Sequence, residues 1–158
     1  MQQGTAKARL VLGVGNILLR DEGVGVHVVR ALEDRPLPAD VELLDGGTAA
    51  LDLLNAIADR KKVIVVDAVR GGGEPGDIYR FHPEDAPPEA AQSVSLHQVD
   101  LLETLTSAEL LGCAPQEVVI FGIEPKELDW GLDLSPEVAA VVPRVIELVL
   151  TEIGGQIA

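Results

Sequence analysis

Three ionisable side chains stand where a chain of this pattern would gather a ligand: Glu22, Asp67 and His97. Glu22 lies in Asp21-Glu22-Gly23-Val24-Gly25, at the start of a helical pattern. Acids in a first helical turn are favoured by the helix dipole, which accounts for them without a ligand. Glycines at 23 and 25 cost helix stability, and they make sense where something must approach the backbone closely. Asp67 directly follows Val63-Ile64-Val65-Val66, at the carboxyl end of a strand-like run. His97 sits in Ser95-Leu96-His97-Gln98, in the first turn of another helical pattern. The positive end of a helix disfavours imidazolium, and neutral imidazole is the form that binds metal. Two carboxylates and one imidazole with open positions suit a borderline divalent ion such as nickel or zinc. On spacing alone, three scattered ligands make a weak pattern, and each residue has an ordinary structural explanation.

Other constellations carry less. Gly13-Val14-Gly15-Asn16 follows a strand and precedes a helix, which suggests a dinucleotide-binding turn. The full fingerprint needs a third glycine at position 18, where Leu18 stands. Asp21 and Glu22 at the helix start would also repel a pyrophosphate. Asp45, at the end of the second strand, keeps the nucleotide reading alive as a ribose-binding acid. There is no zincin helix and no nucleophile elbow. His27 follows Glu22 by five positions and points elsewhere on the same helix. His82 beside Pro83 is expected at the surface in a turn, and Cys113 reads as a packing residue at a helix end.

The elements that must position these groups alternate between strand and helix patterns. Strands are expected at Ala8–Val14, Val41–Leu44, Lys62–Val66, Asp77–Phe81 and Glu117–Ile123. The fourth is expected to be antiparallel, because its connection is too short for a helical crossover. Helices are expected over Asp21–Asp34 and from Thr48, which can cap a run bearing Ala50, Leu53, Leu54 and Ile57. A third runs over Ser95–Leu111, with Ser95 and Gln98 at capping-box spacing and Val94 and Val99 at staple positions. The last begins at Ser135-Pro136 and runs to about Ile153, with Val138, Val141, Val142, Val145 and Val149 inward. Pro143 inside it predicts a kink or break. Glu84–Gln92 and Glu124–Leu134 read as loops. The fold class is α/β: a three-layer sandwich whose twisted, mostly parallel five-stranded sheet is flanked by helices. One domain spans 1–158. Sites in such sheets lie beyond the carboxyl ends of the strands, which points to Asn16–Glu22, Asp45–Thr48 and Asp67–Gly73.

Composition narrows the partners. The 158 residues are 47% hydrophobic and carry a net charge of -14. That excess of acid disfavours nucleic acid, which needs clustered Lys and Arg, and an anionic membrane surface. No apolar run reaches the roughly 20 residues of a membrane span, and residues 1–10 lack a signal peptide's apolar stretch. The single cysteine, Cys113, permits no internal disulfide and suits a reducing compartment. A cytoplasmic location is expected. The acidic surface gives no push towards self-association, so a monomer is expected.

Taken together, the motifs resemble a known family. Gly13-Val14-Gly15-Asn16-Ile17-Leu18-Leu19-Arg20-Asp21-Glu22-Gly23-Val24-Gly25 closely resembles the opening motif of the nickel-iron hydrogenase maturation endopeptidases. Asp45-Gly46-Gly47-Thr48, Val66-Asp67-Ala68, Glu74-Pro75-Gly76, Ser95-Leu96-His97-Gln98 and Gly122-Ile123-Glu124-Pro125 resemble its later blocks, in the same order. Glu22 takes a position that is Asp in some members. The resemblance implies an enzyme that removes a C-terminal extension from the hydrogenase large-subunit precursor once nickel has been inserted. It places Glu22, Asp67 and His97 as catalytic and metal-contacting residues, with Asn16, Asp45 and Gly46 binding substrate. The nickel belongs to the substrate, and no nucleotide is expected. A nucleotide-binding domain and a non-catalytic nickel-dependent chaperone of the large subunit remain as alternatives.

Overall fold

The computed structural model describes residues 7–47, 53–85 and 96–154, with the backbone alone at 47 and 96–100. Five strands form one sheet: β1 (Arg9–Val14), β2 (Val41–Gly47), β3 (Lys62–Ala68), β4 (Ile78–Phe81) and β5 (Glu117–Ile123). Their order is β2-β1-β3-β5-β4. The first four in that order run parallel, and β4 pairs antiparallel with β5. The chain leaves the end of β3, passes over the end of β5 and returns as the edge strand β4. That crossing spans two strand spacings, about 10 Å, which the short connection reaches without a helix.

Strand alternation divides the core. Val11, Ile64, Val66, Ala68, Val119, Phe121 and Ile123 face α1 (Val24–Leu32) and α4 (Pro136–Gly154). Leu10, Leu12, Val14, Val63, Val65 and Ile120 face α2 (Leu53–Ile57) and α3 (Leu96–Leu111). With side chains alternating across the pleat, Asp67 shares the α2/α3 side with Val63 and Val65. Burying both faces explains why the central strands β1, β3 and β5 are largely apolar runs, whereas the edge strands β2 and β4 carry polar residues.

Several boundaries differ from the sequence reading. The expected helix from Asp21 splits into a 3-10 helix, Arg20–Gly23, followed by α1 from Val24. Val41–Gly47 and Lys62–Ala68 extend the second and third strands, so Asp45 and Asp67 lie inside strands. The Thr48 cap, Ala50, the Ser95 capping box, the Val94 staple residue and most of the loop Glu84–Gln92 fall outside the described residues. Pro143 does not break α4, which is continuous from Pro136 to Gly154. Pro143 and Ala139 are both exposed. The carbonyl that loses its helical donor therefore meets water, which removes the burial part of the usual cost. Among the described residues, no helix is long and apolar enough to cross a membrane.

The glycines of the opening motif admit the protein's own backbone. A Cβ on Gly25 would strike the Val66 carbonyl, and one on Gly13 would strike the Gly25 carbonyl. These contacts let α1 lie directly on β1 and β3.

Candidate active site

The carboxyl edge of the parallel strands carries the candidate groups. Glu22 is buried in the 3-10 helix, which packs against β3. Asp67 is buried at the penultimate position of β3, and its Oδ1 accepts a hydrogen bond from its neighbour's amide, Ala68 N, at 2.8 Å. Gly15 joins them. It has φ +129°, a conformation that favours glycine. A Cβ there would run into the Glu22 carbonyl and would lie 3.6 Å from Asp67 Oδ1. A side chain at 15 would therefore push the Glu22 turn away from Asp67. Gly15 also leaves a carbonyl and a carboxylate over the turn, where a dinucleotide loop needs open N–H groups.

His97 lies in the first turn of α3, with its backbone alone described. The direction of α3 places that turn. At the far end of the helix, Asp59 N donates to Cys113 O at 2.8 Å and Gln116 N donates to Arg60 O at 3.0 Å. These contacts sit just before β3 and β5, at the amino edge of the sheet. A helix of 16 residues spans about 24 Å, and a seven-residue strand spans about 23 Å. The start of α3 therefore reaches the carboxyl edge, on the face that Asp67 shares. Among the described residues no group of three or more His, Cys, Asp or Glu forms a ready metal cluster.

The other candidates distribute around this centre. Asn16 Oδ1 accepts from Leu18 N at 2.8 Å and shapes the turn after β1. Asp45 is exposed and pairs with Arg30 of α1 at 3.2 Å. It lies on the α1 side of the sheet, two strands from Asp67, so the structure separates the two acids. Gly46 is buried beside it. His27 is half-buried on α1, and desolvation, aided by the charge of Arg30, lowers its pKa. His82 is not the loose surface residue expected. It is part-buried, with Nδ1 2.9 Å from the Val118 carbonyl oxygen. Cys113 follows the C-terminal end of α3, an element's length from Asp67.

Two buried acids that hold the site together were not recognised as such in the sequence. Asp21 is fully buried. Its Oδ2 accepts from Lys126 N, Glu127 N and Ser135 Oγ, each at 2.8 Å, and Oδ1 accepts from Ser135 N at 2.7 Å. It locks the Glu22 turn to the loop between β5 and α4. Glu124, buried at the end of β5, organises the loop after Asp67. Its Oε1 accepts from Gly71 N at 2.8 Å, Gly73 N at 3.2 Å and Tyr79 Oη at 2.6 Å. Glu124 follows a β-branched run as Asp67 does, so the signal that selected Asp67 also marks Glu124.

Comparison with known proteins decides the family. The family model described as hydrogenase maturation protease (HycI) matches residues 26–152. This chain belongs to the hydrogenase maturation protease family. It is 41% identical over 143 residues to the hydrogenase 2 maturation protease of Escherichia coli K12, covering 89% of this chain and 87% of that one. It is 40% identical over 151 residues to the hydrogenase expression/formation protein HupD of Bradyrhizobium diazoefficiens, covering 92% and 79%. Its fold matches that of the hydrogenase maturating endopeptidase HybD from E. coli with a TM-score of 0.86, at 38% identity, over 93% and 92% of the two chains. The chain is thus a peptidase of the hydrogenase maturation class. Within that class its edge offers carboxylates, which can accept a proton from water, orient it, or bind a cation.

Proposed function

We propose that this hydrogenase maturation protease removes the C-terminal extension of a nickel-iron hydrogenase large-subunit precursor after nickel insertion. In this reading, Glu22, Asp67 and His97 recognise a nickel ion that the substrate carries. The observation that supports it is the convergence at one edge: the backbone carbonyl of Glu22 and the carboxylate of Asp67 both border Gly15, and the helix bearing His97 starts at the same edge. The three residues complete the coordination of an ion already held by the precursor, so docking reports that the metal is in place. Asn16, Asp45 and Gly46 form the rim that receives the peptide. Hydrolysis adds water across the scissile bond. A carboxylate, Glu22 or Asp67, takes a proton from the attacking water, the oxygen bonds to the carbonyl carbon, and the proton passes to the leaving nitrogen. The protein acts as a cytoplasmic monomer on this one protein substrate.

The experiment is to incubate the enzyme with nickel-loaded and nickel-free precursor and to weigh the large subunit by mass spectrometry. Shortening is expected with the loaded form alone, and His97→Ala should abolish it. Cleavage by His97→Ala at the wild-type rate would sink the assignment. A stable complex with no mass change would make the protein a chaperone.

A further inference from the structure

We propose that Leu18, Trp130 and Leu132 form the ledge on which the enzyme seats the body of its protein substrate, through a substrate segment of apolar side chains flanked by Lys or Arg. The inference rests on the proposed reading of the Glu22 and Asp67 edge and extends it to how the protein substrate is held. Trp130 is 74% exposed, Leu132 63% and Leu18 48%. The chain has only one tryptophan, in a composition with 3% aromatics, and it is spent on the surface. Single exposed apolar residues need no explanation, but a contiguous group does.

The two segments that carry these residues are joined by main-chain bonds. Gly131 N donates to Leu18 O at 2.9 Å, and Arg20 N donates to Gly131 O at 3.0 Å. Leu19 and Gly131 form a parallel bridge. Trp130 and Leu132 flank that bridge on one segment, and Leu18 lies beside it on the other. The ledge is also rigid, because Asp21 fixes both segments through Glu127 and Ser135. Arg20, at φ +46°, lays its guanidinium stem over Gly131, where a Cβ would lie 2.8 Å from Nε. Pre-ordering of this kind lowers the entropy lost on binding.

Position and charge identify the occupant. Leu18 is four residues from Glu22, so the ledge lies within about 14 Å of the site along the chain. A substrate bound at Glu22 comes within reach of it. Glu127, Asp129 and Asp133 lie on the segment that carries Trp130 and Leu132, against two bases: Arg20, 3.3 Å from Asp129 and 3.8 Å from Glu127, and Lys126, which is paired with Glu137. A partner with basic residues around its apolar contacts is complementary. A second copy is not, because a symmetric contact here would set Asp129 and Asp133 of two chains with net charge -14 against each other. Three side chains also fall short of the roughly 800 Å² per partner of a stable dimer.

Because Trp130 is the sole tryptophan, labelling the enzyme with fluorotryptophan yields one fluorine NMR resonance from the ledge. Adding unlabelled nickel-loaded precursor should move or broaden it. Trp130→Ala and Leu132→Ala should each raise KM about tenfold with kcat within about threefold. Trp130→Phe should restore most of the loss, and added salt should raise the wild-type KM. Thermal melts report whether each variant is folded. An unmoved resonance with unchanged KM, while the wild type cleaves, overturns the ledge. A resonance that moves without any cleavage retains the ledge and removes the peptidase reading of the edge. A concentration-dependent shift of the enzyme alone, with a dimer in sedimentation that Trp130→Ala dissolves, assigns the face to a second copy and overturns the proposal.

Discussion

Replacing Asp21 by Asn is the sharpest test of how the site is held. The carboxylate is fully buried and accepts four hydrogen bonds, three at Oδ2 and one at Oδ1. Asparagine keeps one acceptor oxygen and turns the other into an NH2 donor. In the cheaper orientation the oxygen stays at the Oδ2 position and the NH2 faces Ser135 N, donor against donor. Three bonds then fall from charge-assisted to neutral strength, losing about 1 kcal/mol each, and the Ser135 N–H and the new amide NH2 are both left without an acceptor, at about 1–3 kcal/mol for each group before relaxation. Some of these losses relax together, so the expected destabilisation is about 4 kcal/mol. For a chain of this size that lowers Tm by about 8–16 °C. Scanning calorimetry and urea denaturation of the two proteins under one buffer measure it. A loss below about 1 kcal/mol would show that these bonds do not hold the two loops together. Asp21 is adjacent to Glu22, so cleavage should also fall at temperatures where the variant is still folded.

Two pH dependences follow from the cited groups. The Tyr79 phenol is pushed up to about 12 by burial and by its hydrogen bond to Glu124. Its folded value lies above the ordinary one near 10, so its stabilising contribution is complete below pH 10 and is lost between pH 10 and 12. There is one tyrosine, so phenolate absorbance reports it alone; a midpoint near 10 in the folded protein would count against the Glu124 network. Glu152 is held down to about 2 chiefly by its bond to Arg80, with Lys62 assisting against burial. Its contribution is complete above pH 4.5 and disappears as pH falls towards 2. Glu152→Gln should therefore flatten the loss of stability across that range, and urea midpoints that fall in parallel for both proteins would refute it.

Much was legible in the sequence because it depends on local pattern. Apolar runs bounded by glycine or acid marked the central strands, short segments after turns marked β2 and β4, and Ser135-Pro136 marked the start of α4, where Val138 N lies 3.4 Å from Ser135 Oγ. The ordering of motifs marked the family. The antiparallel fourth strand followed from a short connection, but its neighbour did not. That β5 slips between β3 and β4 depends on contacts made far apart in the chain. Pro143 misled because a helix-breaking residue is judged by its own chemistry, whereas its cost depended on an exposed face that only packing assigns.

The candidate site divides the same way. Glu22, Asp67 and His97 stand out as candidates from residue type and placement at element ends. The sequence alone placed two acids at the ends of strand and helix patterns and His97 in the first turn of a helix, since strand ends and helix starts are local events. Tertiary structure decided which acids share a face. The pleat turned Asp67 towards α3, while Asp45 was drawn to Arg30 on the other side. Tertiary structure also revealed that the motif glycines make room for α1 on the sheet and for the Glu22 turn beside Asp67. The roles of Asp21 and Glu124 arise there too, because a buried carboxylate is defined by the N–H groups around it, and those come from loops distant in sequence.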